Sequence, residues 1–462
     1  SLGLGSFMID SDYRMHFLIW TFALLALIIG LNLSKSRVGR ALRALHSGEA
    51  AAGCMGVPTK TYKVKIFVLS AIMASVAGSL YVHYLSFVSP KTFDIFFSVE
   101  LVTMVIIGGM TSILGGLFGS ALITSLPAVL GPLDEYKDII YGLILVVILI
   151  VTPDGFISGL SRKISSSRYR RQKSVSAEAA CSVAFLDQQV AASVAKSPGN
   201  LHPGKESTSE SILIVNDVSK NFGGVAALTE VTFEIPRGTI TALIGPNGAG
   251  KTTLINLICG IGNPCNGKIM FQGRRIDNLQ PHQVARLGIT RTFQNLQVFD
   301  NMSVLENVMV GMHARSVNEF MVSMLRLPGF RKEEKRIKEK SLKALQFLGL
   351  DNLADFPSGE LSFGEQKKLE MARALAPNPG LILFDEPVAG LNRAESMEIE
   401  KLILGVRDSG TTVLLIEHDI NVVMNVSDKI VVLNYGSVIA EGPPSEIQKN
   451  KKVLKAYLGG SL

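Results

Sequence analysis

The stretch GPNGAGKTT carries Gly245, Pro246, Asn247, Gly248, Ala249 and Gly250, followed by Lys251, Thr252 and Thr253. Glycines at this spacing let backbone N–H groups turn inward and close around phosphate oxygens, as a helix N-terminus does. A lysine at this place meets the β- and γ-phosphates, and the hydroxyl of Thr252 suits Mg²⁺. A second pair of groups, Asp385 and Glu386, ends the apolar run LILFDEP at 381–387. Phosphoryl transfer to water needs a metal holder and a base. Asp385 is placed to hold Mg²⁺, and Glu386 to orient and deprotonate the attacking water. The chemistry expected is ATP hydrolysis with Mg²⁺.

Such groups work only where secondary structure aims them. Thr239–Ile244 is a short β-branched run, the glycines follow, and an apolar helical pattern begins at Lys251. That order is strand, loop, helix, and the context matters because the glycine pattern also occurs by chance. Leu381–Phe384 reads as a buried strand that delivers both acids to the mouth of the same sheet. Residues 211–462 are therefore expected to form an α/β P-loop NTPase domain.

The rest of the chain is of another kind. Charged residues make up 18% of the 462 and hydrophobic ones 47%, and the shortage of charge is concentrated near the start. Met15–Ser34, Ile66–Pro90, Leu101–Leu133 and Ile139–Pro153 contain no Asp, Glu, Lys or Arg. A bilayer core needs ~20 apolar helical residues, so residues 1–157 read as an all-α transmembrane domain. At ~1.5 Å per residue Leu101–Leu133 is too long for one crossing, and GGMTSILGG at 108–116 offers a break. About five spans are expected: Phe17–Leu33, Ile66–Tyr84, Ile95–Met110, Leu114–Leu130 and Ile139–Thr152.

The net charge of +7 lies in two clusters beside apolar runs: 34–65 has seven bases and one acid, and 161–177 has six bases and no acid. Both are placed as cytoplasmic loops are, so the charge reports membrane topology, and no nucleic-acid partner is expected. This puts the NTPase domain in the cytoplasm. Residues 158–210, rich in Ser, Ala and basic residues, read as a flexible linker, with one weak helical stretch near 183–194. Cys54, Cys181, Cys259 and Cys265 show no metal spacing and read as bystanders in a reducing compartment.

LSFGEQKKLEMARAL at 361–375 lies just before the strand with the two acids and resembles the signature of ABC-transporter ATPases. RTFQN with Gln294, AGLN at 389–392, IEHD with His418 and KNFGG with Phe222 follow the family's pattern. The resemblance covers residues 212–462. It implies a head-to-tail ATPase dimer, in which Ser362 and Gly364 of one subunit close over ATP on the other. Phe222 would then stack on adenine, Gln294 would contact Mg²⁺ and the attacking water, and His418 the γ-phosphate. Phe363 and Asn392 stand where many members have Gly and Asp; neither change removes a phosphate ligand. The run RKEEKRIKEKSLKAL reads as a solvated helix face.

FGGVAAL, EPVAGLN and the ending YLGG are similar to ATPases of branched-chain amino acid importers. VGRALRALHSGEAAAGCMGV and GGMTSILGGLFGSAL resemble the permeases of the same systems, over about the C-terminal half of such a permease. With an opening SLGLGSF that has no initiator Met, this suggests a fragment. In the loop at 34–57, Val38, Ala41, Leu42 and Leu45 share a helical face, with Arg37, Arg40 and Arg43 off it. Glu49–Ala52 with Gly53 and Gly56 is small enough to press into a groove. The resemblance implies a coupling helix docked on the ATPase; a loop lying on anionic lipid explains the arginines but not the small residues. Glu100 either lines the pathway or reaches outward, and the glycine break reads as close helix packing in preference to an unwound site near the midplane.

Taken together, the resemblance implies a permease–ATPase subunit of an ATP-driven importer in a bacterial-type plasma membrane. Branched-chain or other hydrophobic amino acids would arrive from a periplasmic or surface solute-binding protein. Import of urea, amides or another small organic solute is the alternative. An export half-transporter would need longer cytoplasmic helices, and a membrane-anchored regulatory ATPase would not need the patterned loop.

Overall fold

The computed structural model describes residues 2–4, 7–9, 12–85, 94–110, 112–129, 142, 146, 210–315, 320–326 and 328–458. It divides into two compact units, one of residues 1–31 and 69–205, the other of residues 32–68 and 206–462.

The first unit is helical after a short antiparallel pairing of Leu2–Leu4 with Phe7–Ile9. The helices Asp12–Ser34 and Thr59–Leu85, which both continue beyond this unit, are the two long and apolar enough to cross a membrane among the described residues. Phe17, Trp20 and Phe67 are exposed on them, as side chains meant for lipid are. The long apolar run is broken as its glycines suggest, into Ile95–Gly108 and Ile113–Val129. These have 14 and 17 residues, short of the ~20 that span a bilayer unaided. The break closes two helices on each other. A Cβ on Gly108 would strike the Gly115 backbone, and one on Gly119 would strike the Met104 carbonyl. Close packing of small residues is thus what these glycines serve. All of the expected span Ile139–Thr152 except residues 142 and 146, and all of the linker at 158–210 except residue 210, lie outside the described residues.

The second unit is α/β. A six-stranded sheet runs Ser437–Gly442, Lys429–Asn434, Ile240–Ile244, Thr412–Ile416, Leu381–Asp385, Ile289–Arg291, all parallel except the first strand. Ile240–Ile244, Leu381–Asp385 and Thr412–Ile416 are buried at every position. Such continuous apolar runs are what a sheet covered on both faces requires. A four-stranded antiparallel sheet, ordered Val225–Pro236, Ser211–Phe222, Asn266–Phe271, Arg274–Arg275, packs against it. Leu213, Val215, Phe233 and Phe271 of that sheet share one core with Leu243, Leu383 and Leu414. The parallel strands end together, which brings their C-terminal loops to one edge, where ligands bind in folds of this kind.

The loop at 34–57 belongs to this unit. Ser36 caps the helix Arg37–Ser47, accepting from the N–H groups of Val38 and Gly39, and a second short helix runs Glu49–Cys54. Val38, Ala41, Ala44, Ala51 and Ala52 are buried to 1% exposure or less. The spacing placed the arginines off the packed face, and here the structure corrects it, because Arg37 and Arg40 are buried too. Arg40 Nη2 donates to both carboxylate oxygens of Glu334, at 2.8 and 2.9 Å, Arg43 holds Glu306 at 2.7 Å, and Arg37 lies 3.9 Å from Glu333. The helix Pro328–Phe347 is therefore more than a solvated face. Glu333 and Glu334 turn together toward the loop's arginines, a use that a run of mixed charge does not reveal.

Candidate nucleotide site

The phosphate loop leaves the buried strand Ile240–Ile244 and enters the helix Lys251–Ile258. Gly248 and Gly250 take φ of 81° and 99°, and a Cβ on Gly250 would meet the Ala227 carbonyl at 2.6 Å. Only glycine fits there. No side chain caps the helix, so its first N–H groups are available to an anion. The Lys251 ammonium folds back on the loop, donating to the carbonyls of Gly245 at 2.6 Å and Pro246 at 3.0 Å. Burial lowers its pKa, while Glu386 and Asp385 oppose that shift. Thr252 is exposed and Thr253 half-buried.

Asp385 and Glu386 stand at the end of their strand as the sequence suggests. Glu386 has φ of 52°, a left-handed conformation that a glutamate adopts at a cost of order 1–3 kcal/mol. It aims the carboxylate at two partners from distant loops. Gln294 Nε2 donates to both oxygens of Glu386 at 3.2 Å, and His418 Nε2 lies 2.7 Å from Oε1. Residues 294, 386 and 418 thus meet around one carboxylate that can take a proton from water held there. Thr252 and Asp385 offer oxygen donors, the kind Mg²⁺ prefers.

Three neighbours escaped sequence reasoning. Arg291 bonds Asp385 at 2.8 Å and Asn256 of the phosphate-loop helix at 2.7 Å, both charges buried. Lys367 donates to the Glu386 carbonyl at 3.1 Å, and buried Glu417 accepts from the N–H groups of Val388 and His418. Arg291 lies three residues before Gln294 in RTFQN, and Glu417 just before His418 in IEHD. Those motifs were the only available signal.

Phe222 is 58% exposed at the end of its strand, with Lys220 over its ring at 5.3 Å. It is therefore not a core residue. Ser362 caps the helix Phe363–Leu375 and is tied to Glu365, while Gly364 is buried against Glu395. Among the described residues, the side-chain hydrogen bonds of Ser362 go to Glu365 rather than to the phosphate loop. Asn392 accepts from Glu395 N at 3.0 Å and caps the helix Arg393–Asp408. Asn caps as well as Asp does, which accounts for that departure. Phe363 is 48% exposed and rests against Gly390.

Beside the site, the loop completes its docking. Tyr62 Oη lies 3.3 Å from His313 Nε2, and a Cβ on Gly56 would meet Ala314 at 2.6 Å. Burial, with Arg37, Arg286 and Arg40 nearby, holds the His313 imidazole well below its ordinary range. A histidine depressed in this way stabilises the fold above its unfolded value of ~6.5, and that contribution is lost as pH falls below it. The thermal midpoint should fall more steeply on acidification through ~6.5 in the parent than in His313→Gln. Parallel curves would remove His313 from this role.

Family models match three parts of the chain: an ABC transporter model over 228–389, the permease component of branched-chain amino acid transport systems over 5–149, and the branched-chain amino acid ATP-binding cassette transporter over 437–461. The high-affinity branched-chain amino acid transport ATP-binding protein LivG of Salmonella typhimurium is 39% identical over 252 residues, 54% of this chain and 99% of LivG. BraF of Pseudomonas aeruginosa, of the same description, has the same identity and coverage. A crystal structure of a nucleotide-free ATP-binding cassette from an ABC transporter matches at 36% identity and a TM-score of 0.48, over 54% of this chain and 100% of that one.

Proposed function

This chain belongs to the branched-chain amino acid ABC transporter family, with permease and ATP-binding parts in one polypeptide, and from that premise we propose an importer subunit for branched-chain amino acids. The observation that carries the reading is the loop at 34–57, which runs between two apolar helices and is seated on the ATPase by Arg37, Arg40 and Arg43. A loop fixed this way gives nucleotide chemistry a mechanical route to the permease. The natural division is a permease at 1–157, a linker at 158–210 and the ATPase at 211–462.

In the reaction, the N–H groups of 248–253 cradle the phosphates, and Lys251 leaves its own loop carbonyls to face the transferred group. Thr252 and Asp385 would hold Mg²⁺, with Gln294 beside it; when bound, the ion offsets charge on the phosphate oxygens. Glu386 takes the proton of the attacking water, Gln294 orients that water, and His418 meets the γ-phosphate. Phe222 stacks on adenine. Ser362 and Gly364 act in trans, with Ser362 exposed at the start of the signature helix where the phosphates of a second ATPase would take the place of Glu365. A surface or periplasmic solute-binding protein delivers the amino acid to the permease, which lies in a bacterial-type plasma membrane whose lipid surrounds the apolar helices.

The test is ATP-driven uptake of leucine into vesicles holding the complete transporter, with urea as control. Uptake of urea in place of leucine would move the solute to the other class. Lys251→Ala is expected to weaken both ATP affinity and turnover, each on the order of tenfold or more. Unchanged nucleotide titration and turnover would mean that Lys251 does not face the phosphates.

A further inference from the structure

Glu370 and Arg373 form an ion pair at 3.4 Å, one turn apart on the helix that Ser362 caps, with side chains 2% and 1% exposed. Apolar residues of like volume often stabilise as well as a buried pair does, so its use is to be sought in what it holds. Glu370 Oε1 accepts from the N–H of Phe293 at 3.0 Å. Arg373 Nη1 donates to the Gln297 carbonyl at 2.5 Å, and its guanidinium lies 4.7 Å from the Phe299 ring centre. The two charges therefore fasten the chain on both sides of Gln294 to the signature helix.

The other face of the same segment meets the docked loop. A Cβ on Gly48 would stand 2.8 Å from Gln297 Oε1. Arg43 of the loop holds Glu306 on the helix Val304–Gly311, whose Gly311 is pressed against the Arg373 backbone carbonyl. Asn307 of that helix clasps Phe299 through its N–H and its carbonyl, at 3.0 and 3.1 Å. The Gln294 segment thus meets Arg373 directly, and the loop reaches it through Gln297 and the helix Val304–Gly311.

We propose that Glu370 and Arg373 are positioning residues that join these three into one body, so that ATP binding and the seating of the loop change together. This rests on the reading of the nucleotide site given above. A lysine at 373 keeps the charge but loses the planar fork that holds Gln297 and Glu370 at once.

The experiment measures hydrogen exchange in the full chain in lipid vesicles, with and without a non-hydrolysable ATP analogue. In the parent, the analogue should protect 245–253 and change exchange at 48–56 by roughly fivefold or more, the range of ordinary coupling between sites. In Arg373→Lys the analogue should bind and protect 245–253 as before, with the change at 48–56 lost. A loop response equal to the parent's overturns the proposal, as does a parent whose loop does not respond. If the analogue fails to protect 245–253 in the parent, the nucleotide-site reading falls, and the proposal with it. Should Arg373→Lys not fold, Glu370→Gln, which keeps an oxygen for Phe293 N–H, takes its place. The loop response should be lost there too, and a response equal to the parent's overturns the proposal in the same way.

Discussion

Glu386→Gln is expected to bind ATP as the parent does and to hydrolyse it about 10²–10⁴-fold more slowly, the usual worth of a positioned base. The amide is nearly isosteric with the carboxylate, so Gln294 and His418 keep a partner at the observed distances of 3.2 and 2.7 Å. The glycines and N–H groups of the phosphate loop are unchanged by the substitution, so the binding energy they supply stays. What is lost is a group able to take a proton from water. The measurement is phosphate release beside nucleotide titration of the full chain. Release near the parent rate would take Glu386 out of the base role and shift attention to His418, its nearest partner.

Ala51→Trp is expected to abolish solute uptake, and the stimulation of ATPase by solute, while basal ATPase continues. Ala51 is 1% exposed in a loop whose Gly56 has no room for a Cβ beside the Ala314 backbone. Overpacking such a contact costs ~1–3 kcal/mol, enough to unseat the loop without unfolding the ATPase core. Had the loop lain on lipid, tryptophan would suit a membrane interface and uptake would survive. Normal uptake by this variant in the complete transporter would therefore overturn the docking role.

The phosphate loop and the two acids were legible because their chemistry is local. Gly248, Gly250, Lys251 and Thr252 act through the backbone turn they themselves make, and Asp385 and Glu386 through the strand they end. The apolar runs of the first third were legible for a similar reason, since absence of charge over ~20 residues is a property of consecutive residues. The break at 108–116 and its close packing could be read from its glycines, but not the partner they pack on. That depends on which backbone Gly108 and Gly119 approach, which the fold brings from another helix.

The sequence by itself determined that ATP chemistry follows apolar helices in this chain, and that the loop at 34–57 is patterned for contact. Only the tertiary structure decided what the loop touches. Arg37 and Arg40 look solvated in sequence, and so do Glu333 and Glu334 in a run of alternating charge. Nearly three hundred residues separate the two groups. A charge in water and a charge opposite a buried partner have the same local spacing, so periodicity cannot tell them apart. The same holds for Arg291, Glu370 and Arg373. Each is an unremarked member of a motif until folding removes water from around it and leaves one partner in reach, because the cost of a buried charge makes that partner obligatory.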